Sequence, residues 1–467
     1  MNIRRTKIIA TIGPSTISKS MIDKMIIAGM DGARINMSHY HSDFDLKSTV
    51  ETIRQSANSR KKSVSIIMDL PGPKIRTSNI DTLEIKRGKE YTLGKDADIP
   101  INFDLKFKSL EDGAKVKIDD GKISFKVMQK ISNSKILIRS KNAGEIKSKK
   151  GVNISGLNIN LPTLQAQDIE FAKMAIDLDL DWIALSFVRF KEDRELLDKL
   201  FKRKKHYIPL IAKIEKTEAV NNINDIIDSF DGVLIARGDL GLESELEKVP
   251  SLQKKIIKKC NQRCKPVIVA TQMLESMIEN PLPTRAEVSD VASAIYDGTD
   301  SIMLSGETAV GDFPLESIRM MKTIALDVEK EISEDEGFKS LVLVPDKTDI
   351  KKSICYSAYQ MSNDLSIKAM VIMTESGDTG NAMSSFRPIS SIIAMTPSES
   401  IYRKLSLSWG ISSVKVPKFK STDQMLSFIK KFLIDNKIIK NNELFIMTAG
   451  VPVGITGSTN MIKIEKL

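Results

Sequence analysis

The chain has 467 residues, 41% of them hydrophobic and only 5% aromatic, and a formal net charge of +10. That length suits two or three domains with aliphatic cores, and no run of about 18 uncharged apolar residues offers itself as a membrane span. The surplus lysines are scattered through KKSVS, KRGKE, FKRKK and KKIIKK without aromatic interleaving, which argues against nucleic-acid binding.

Three histidines (His39, His41 and His206) argue against histidine-centred metal or acid–base chemistry, and three cysteines (Cys260, Cys264 and Cys355) cannot make a disulfide framework. The start, MNIRRTKIIATIGP, is basic, but its apolar part is short and strand-like, so no signal peptide is expected. A reducing cytoplasm is the expected compartment.

In chain order, eight short apolar runs break into polar residues at their C-terminal ends. They are TKIIATIG (6–13), GARINMS (32–38), SVSIIMDL (63–70), WIALSF (182–187), PLIAKIE (209–215), GVLIARGD (232–239), PVIVATQ (266–272) and SIMLSGE (301–307). Runs rich in Ile, Val and Ala without alternation suit strands buried on both faces of a parallel sheet. Amphipathic stretches separate most of them, which predicts a (β/α)8 barrel with its chemistry at the C-terminal strand ends. Those ends carry Arg34, Asn36, Ser38, Asp69, Ser186, Lys213, Glu215, Asp239, Thr271, Ser305 and Glu307.

Between the third and fourth runs the composition changes. TLEIKRGKEYTLG, KVKIDDGKISFKVMQK and SKILIRSKN alternate apolar and charged residues, with DDGK and NAGE as turns. This predicts a small inserted antiparallel β-barrel that acts as a lid excluding water. A helical pattern begins at Asp168. After the eighth run a helix around Pro314–Lys330 leads into a charged link. Beyond Lys351, the runs 369–374, 391–396, 412–417, 444–450 and 460–467 alternate with helical segments and predict a separate α/β domain. The expected division is 1–70 with 158–340 for the barrel, 71–157 for the lid and 341–467 for the C-terminal domain.

The residues at the strand ends suggest their own chemistry. Lys213, Glu215 and Asp239 end neighbouring strands, so two carboxylates and an ammonium meet at one rim. Two hard oxygen ligands suit Mg²⁺ or Mn²⁺ completed by waters and substrate phosphate. The glycines of ARGDLG let backbone N–H groups approach an anion at a helix start. Arg34 has the planar fork that matches phosphate, and Lys74 and Arg76 follow on the hinge to the lid. The oxygens of Asn36, Ser38 and Asp69 converge as a monovalent cation would require. Thr271 and Ser305 either cap the helices that follow or position a proton or a water.

Together KIIATIGPS, ARINMSH, MDLPGPKIRT, IDDG, SKKGVN, LSFVR, AKIE, ARGDLG, ATQMLESM, PTRAEVSDVA, MLSGETAVGDFPLE and TAGVPVGITGSTN resemble the pyruvate kinase family over essentially the whole chain. The resemblance implies phosphoryl transfer from phosphoenolpyruvate to ADP, giving pyruvate and ATP. It implies that Glu215 and Asp239 hold the divalent ion, that Lys213 stabilises the phosphoryl group in transfer, and that Arg34 holds it. It gives the substrate carboxylate to backbone groups of Ala236, Gly238 and Asp239 and to Thr271, with Thr271 and Ser305 serving a water relay that protonates the enolate. Arg34, Asn36, His39, Arg76 and Lys150 are implied at the nucleotide phosphates, with Asp120 also on the lid. The monovalent site would comprise Asn36, Ser38, Asp69 and Leu70.

Lys74 stands where many relatives carry Glu and need K⁺. Lys at that position goes with K⁺-independent relatives, its ammonium supplying the missing cation, although Thr77 is more typical of the K⁺-dependent group. Val310 stands where some relatives have a lysine, which weakens any nucleotide contact there. The loop TESGDTG, with Thr374, Ser376, Gly377, Asp378 and Thr379, resembles allosteric loops that take sugar monophosphates or nucleotides, with TAGVPVGITGSTN as a second wall. The alternative is a capped turn with no ligand. PTRAEVSDVA resembles the family's interface segment, which implies a homotetramer.

Overall fold

The computed structural model describes residues 4–40, 44–103, 105–107, 110–155, 162–334, 349–452 and 459–467. The divisions expected at 157/158 and 340/341 lie outside the described residues, as does His41.

All eight apolar runs form strands, and they close into a barrel: Lys7–Ile12, Gly32–Asn36, Ser65–Asp69, Trp182–Leu185, Leu210–Ile214, Gly232–Ala236, Val267–Ala270 and Ser301–Leu304. Each strand pairs in parallel with its sequence neighbours, and the last pairs with the first. Outward residues such as Ile8, Ala10, Ile35 and Ile214 pack under the surrounding helices. Inward residues Ile9, Ile67, Trp182, Ile211, Leu234, Ile268 and Met303 fill the interior.

The strand period of two positions the site. Side chains two residues further along share the inward face, which brings Thr11, Asp69, Lys213 and Ser305 above that apolar layer. The inward layers therefore change from apolar to polar toward the C-terminal rim.

The insertion contains a two-stranded ladder, Leu83–Ile85 with Gly144–Ile146, and a six-stranded sheet. The sheet runs Val152–Ile154, Lys115–Ile118, Ile123–Ser132, Lys135–Ser140, Glu90–Gly94 and Ile99–Pro100, antiparallel except for its last pair. One core, including Ile85, Leu93, Phe125, Ile138 and Ile146, unites both sheets. The DDGK turn is tight: Asp119, Asp120 and Gly121 have φ of 55°, 53° and 85°. Lys117 Nζ donates to Leu242 O at 2.9 Å and Asn153 Nδ2 to Glu243 Oε1 at 3.1 Å, fastening the lid to the barrel's sixth βα loop.

The helical pattern at Asp168 is the helix Ala166–Asp177, and the long helix after the eighth strand runs Pro314–Glu334. The C-terminal runs form a five-stranded sheet in the order Ile411–Lys415, Ser391–Thr396, Ala369–Met373, Leu444–Gly450, Thr459–Lys466, its last strand antiparallel. Sequence patterning does not show how this domain meets the barrel. Leu407, on the turn Leu405–Leu407, is 1% exposed and belongs to the inner barrel core. A Cβ at Gly32 would lie 2.8 Å from Leu407 Cδ2, so the glycine makes room for that plug. Arg403 Nε donates to the buried Asp181 at 2.7 Å, and Ser301 Oγ donates to Leu407 O at 2.8 Å. The C-terminal domain thus seals the N-terminal end of the barrel, opposite the polar rim.

Candidate active site

At the rim lies a cleft of about 920 Å³, lined by Thr11, Arg34, Asn36, Ser38, His39, Lys74, Arg76, Asp120, Ser186, Lys213, Glu215, Asp239, Thr271 and Ser305, among others. Its centre is Lys213, which the inward parity of its strand brings over Ile211. Lys213 Nζ lies 2.9 Å from Glu215 Oε1 and 3.1 Å from Asp69 Oδ1, and it donates to Ser186 Oγ at 2.8 Å. Ser186 Oγ donates onward to Leu70 O at 2.6 Å. Arg34 lies beside them, with Nη2 2.6 Å from Asp69 Oδ2 and Nη1 donating to Thr11 Oγ1 at 3.1 Å.

Burial opposes the charge on Lys213, but Asp69 and Glu215 outweigh it and hold the ammonium above the ordinary lysine range, Arg34 acting the other way. Burial also opposes the charge on Asp69, which Lys213 and Arg34 hold below the usual carboxylate range. Glu215 is pushed up, chiefly by burial and further by the charge of Asp239, against Lys213 and the Phe187 N–H. A buried carboxyl beside a second carboxyl gains from a divalent cation between them. By that measure Glu215 and Asp239 fit such an ion, with remaining positions left to water and substrate oxygens; no group of three or more His, Cys, Asp or Glu placed to hold a metal ion occurs among the described residues.

The monovalent set fits less well. Asp69 already sits between two cationic groups, Asn36 Oδ1 accepts from Ser38 N at 3.1 Å, and Leu70 O is taken by Ser186. Lys74 Nζ lies 3.5 Å from Asp239 Oδ1 rather than against the Asn36, Ser38, Asp69 and Leu70 oxygens. Asp239 therefore carries a cationic neighbour of its own.

Gly238 and Asp239 stand in the first turn of the short helix Arg237–Glu243, with Ala236 as its N-cap. Gly238 N donates to Thr271 Oγ1 at 2.7 Å, and Thr271 Oγ1 donates to Ala270 O at 2.6 Å. Of the residues assigned to nucleotide, Arg34, Asn36, His39 and Arg76 line the cleft. Lys150 is held elsewhere on the lid, 2.8 Å from Asp119 Oδ1. Val310 lines the cleft and is exposed.

In the C-terminal domain, Thr374 Oγ1 accepts from Gly377 N at 2.9 Å, Ser376 Oγ from Asp378 N at 3.3 Å, and the Thr379 and Thr459 hydroxyls pair at 2.6 Å. Gly377, with φ of 89°, opens the helix Asp378–Ser385. Residues 453–458 of TAGVPVGITGSTN lie outside the described residues.

Sequence reasoning missed three participants. Thr11 supports Arg34 from the neighbouring strand, in register opposite it, and nothing in the sequence signals that pairing. The Phe187 N–H donates to Glu215 Oε2 at 2.8 Å, a backbone role that no side chain advertises. The Arg237 side chain folds back onto the Thr271 turn.

The chain is similar to known proteins over nearly its whole length. The model of the pyruvate kinase barrel domain matches residues 3–318, and that of the pyruvate kinase alpha/beta domain matches residues 352–465. Pyruvate kinase of Staphylococcus aureus strain MRSA252 is 42% identical over 476 residues, covering 99% of this chain and 80% of the relative, and that of strain USA300 gives the same figures. A crystal structure of a pyruvate kinase from Cryptosporidium parvum aligns with a TM-score of 0.92 at 33% identity, covering 99% of this chain and 96% of that one. Because both family models, the relatives and the solved structure all agree along nearly the whole length, barrel and C-terminal domain alike, the chain belongs to the pyruvate kinase family.

Proposed function

We propose that the cleft transfers the phosphoryl group of phosphoenolpyruvate to ADP, yielding pyruvate and ATP, the last step of glycolysis. The observation that carries this reading is the largely buried Lys213 ammonium held between Asp69 and Glu215, with Arg34 and Asp239 facing the same cleft. Phosphoryl transfer is mainly positioning and charge stabilisation, and these residues offer both. Lys213 neutralises charge on the migrating group, and Arg34 holds it. The N-cap and first-turn backbone of Ala236, Gly238 and Asp239 receives the substrate carboxylate: the Gly238 N–H turns from Thr271 Oγ1 to that anion, and the Thr271 hydroxyl donates to it in place of Ala270 O. Thr271 and Ser305 order the water that protonates the product carbon.

The family needs a divalent metal. Here Glu215 and Asp239 would hold Mg²⁺ or Mn²⁺, which when bound supplies positive charge against substrate oxygens. Arg34, Asn36, His39 and Arg76 face the ADP phosphates, and Lys150 joins them only if it leaves Asp119. A lactate dehydrogenase-coupled assay with phosphoenolpyruvate, ADP and Mg²⁺ tests the reading: sustained pyruvate formation supports it, and its absence at saturating substrates refutes it.

K⁺ independence is supported by the two cations already at Asp69, not by Lys74, whose ammonium lies beside Asp239. Replacing choline chloride by KCl at constant ionic strength is expected to change the rate by less than about threefold, whereas a stimulation of about tenfold, near 1.4 kcal/mol, would contradict it.

We read the 374–379 loop as a site for a phosphorylated activator, supported by its hydroxyls and by the helix start at Asp378. Ribose 5-phosphate, glucose 6-phosphate or AMP is expected to lower the half-saturating phosphoenolpyruvate concentration, and fructose 1,6-bisphosphate to do so less. Four unchanged saturation curves would favour a ligand-free turn. The assembly is read as a homotetramer through PTRAEVSDVA, and the compartment as the cytoplasm, in keeping with three free cysteines.

A further inference from the structure

Thr271 stands in an unusual backbone state. Its φ is 70° and that of Gln272 is 54°, so two successive residues after the seventh strand are left-handed. Among the described residues Thr271 is the only β-branched one with φ in that region. A β-branched side chain clashes with its own backbone there, so the conformation persists only where its surroundings over-determine it. The turn aims the hydroxyl at the neighbouring helix start, where it accepts from Gly238 N at 2.7 Å.

The surroundings that over-determine it converge on one side chain. Arg237 is 9% exposed. Its Nη2 donates to Thr271 O at 2.8 Å and to Gln272 O at 3.1 Å, and it also meets Met273 Sδ. Its Nε lies 3.3 Å from Thr271 O, and its Nη1 donates to Asp290 Oδ1 at 2.7 Å. Asp290 belongs to the helix Arg285–Tyr296 and so fixes the guanidinium from the side away from the turn. Arg237 immediately precedes Gly238 in the chain. One residue therefore joins the backbone cradle to the hydroxyl facing it.

We propose that Arg237, oriented by Asp290, is a positioning residue for the reaction: its guanidinium holds the 271–272 turn left-handed, and so sets the Thr271 hydroxyl against the helix start at Gly238. This rests on the reading of Thr271 as a group that meets the substrate carboxylate and the water relay. A planar fork can serve two carbonyls and a carboxylate at once, which a lysine ammonium on a single stem cannot reproduce. Arg237 itself acts only through Thr271.

The test is a set of steady-state measurements on Arg237→Gln, Arg237→Lys, Asp290→Asn, Thr271→Ala and the double variant Arg237→Gln/Thr271→Ala, with deuterium exchange at the pyruvate methyl followed alongside. Misplacing a reacting group costs up to about 100-fold, so Arg237→Gln is expected to lower kcat by about that factor, with KM for ADP unchanged. Methyl exchange should fall in parallel. Arg237→Lys and Asp290→Asn should lie between wild type and Arg237→Gln.

The decisive comparison is the double variant. With the Thr271 hydroxyl gone, adding Arg237→Gln should cost less than about threefold more, because residues acting as a unit are not additive. An ion pair of purely structural value would instead exact its full factor again, and that result overturns the proposal. Arg237→Gln within threefold of wild type also overturns it while leaving the kinase reading intact. Full activity in Thr271→Ala refutes the role of Thr271 and the proposal with it. Should Arg237→Gln not fold, Asp290→Asn with and without Thr271→Ala decides the matter by the same comparison.

Discussion

Lys213→Met is expected to lower turnover by about 1,000-fold or more, over about 4 kcal/mol of barrier, in a protein that still binds phosphoenolpyruvate. Methionine keeps much of the length of lysine and none of its charge. The lost ammonium lies 2.9 Å from Glu215, 3.1 Å from Asp69 and 2.8 Å from Ser186, a largely buried cation placed between the two carboxylates. In a water-poor cleft such a group acts without reorganising, which is where electrostatic stabilisation is strongest. The variant should also melt lower, because removing one partner of a buried ionic cluster costs about 3–5 kcal/mol. Raised Mg²⁺ should recover part of that stability by taking the place of the missing charge, but not the rate. Turnover within tenfold of wild type, measured on protein shown to be folded, would remove Lys213 from the chemistry.

The second large effect is expected for Glu215→Gln. The carboxyl is buried, accepts from Phe187 N at 2.8 Å, and lies under the influence of Asp239. An amide of the same shape keeps the hydrogen bond to Phe187 and sheds the charge, so the fold should survive. On the proposed assignment a divalent ion then loses one of its two charged protein ligands. The half-saturating Mg²⁺ concentration is expected to rise at least about tenfold, and kcat at saturating Mg²⁺ to fall about 100-fold, near 2.7 kcal/mol. A titration of rate against Mg²⁺ decides it, and an unchanged half-saturation would contradict the assignment. Asp239→Asn should behave differently, since it also frees the Lys74 ammonium 3.5 Å away.

What the sequence could and could not show follows from what each pattern encodes. Strands buried on both faces read as uninterrupted apolar runs, so the barrel was legible from composition and spacing alone. The same runs hid the inward parity, because Ile8 and Ile9 look alike although one packs under helices and the other fills the interior. The polar residue that ends a strand is visible in one dimension, so Lys213, Glu215, Asp69 and Arg34 could be named. Partners that meet it from another strand, such as Thr11, or through the backbone, such as the Phe187 N–H, leave no mark that spacing can register. Arg237 was read only as part of a glycine-rich turn, since nothing local shows a side chain reversing to hold Thr271 and Gln272. The lid's alternating strands were legible for the opposite reason: one face meets a core and the other meets water. Leu407 could not be foreseen as the floor of a barrel whose strands end a hundred residues earlier, because a lone leucine in a polar turn carries no period.

The most direct measurement of the central claim is a ³¹P NMR time course in D₂O with phosphoenolpyruvate, ADP, Mg²⁺ and the purified protein. Transfer at the cleft requires the phosphoenolpyruvate signal to be replaced one for one by the terminal phosphate of ATP, while proton spectra show pyruvate carrying deuterium in its methyl group. Release of inorganic phosphate with ADP unchanged, or bound phosphoenolpyruvate that never reacts, would contradict it.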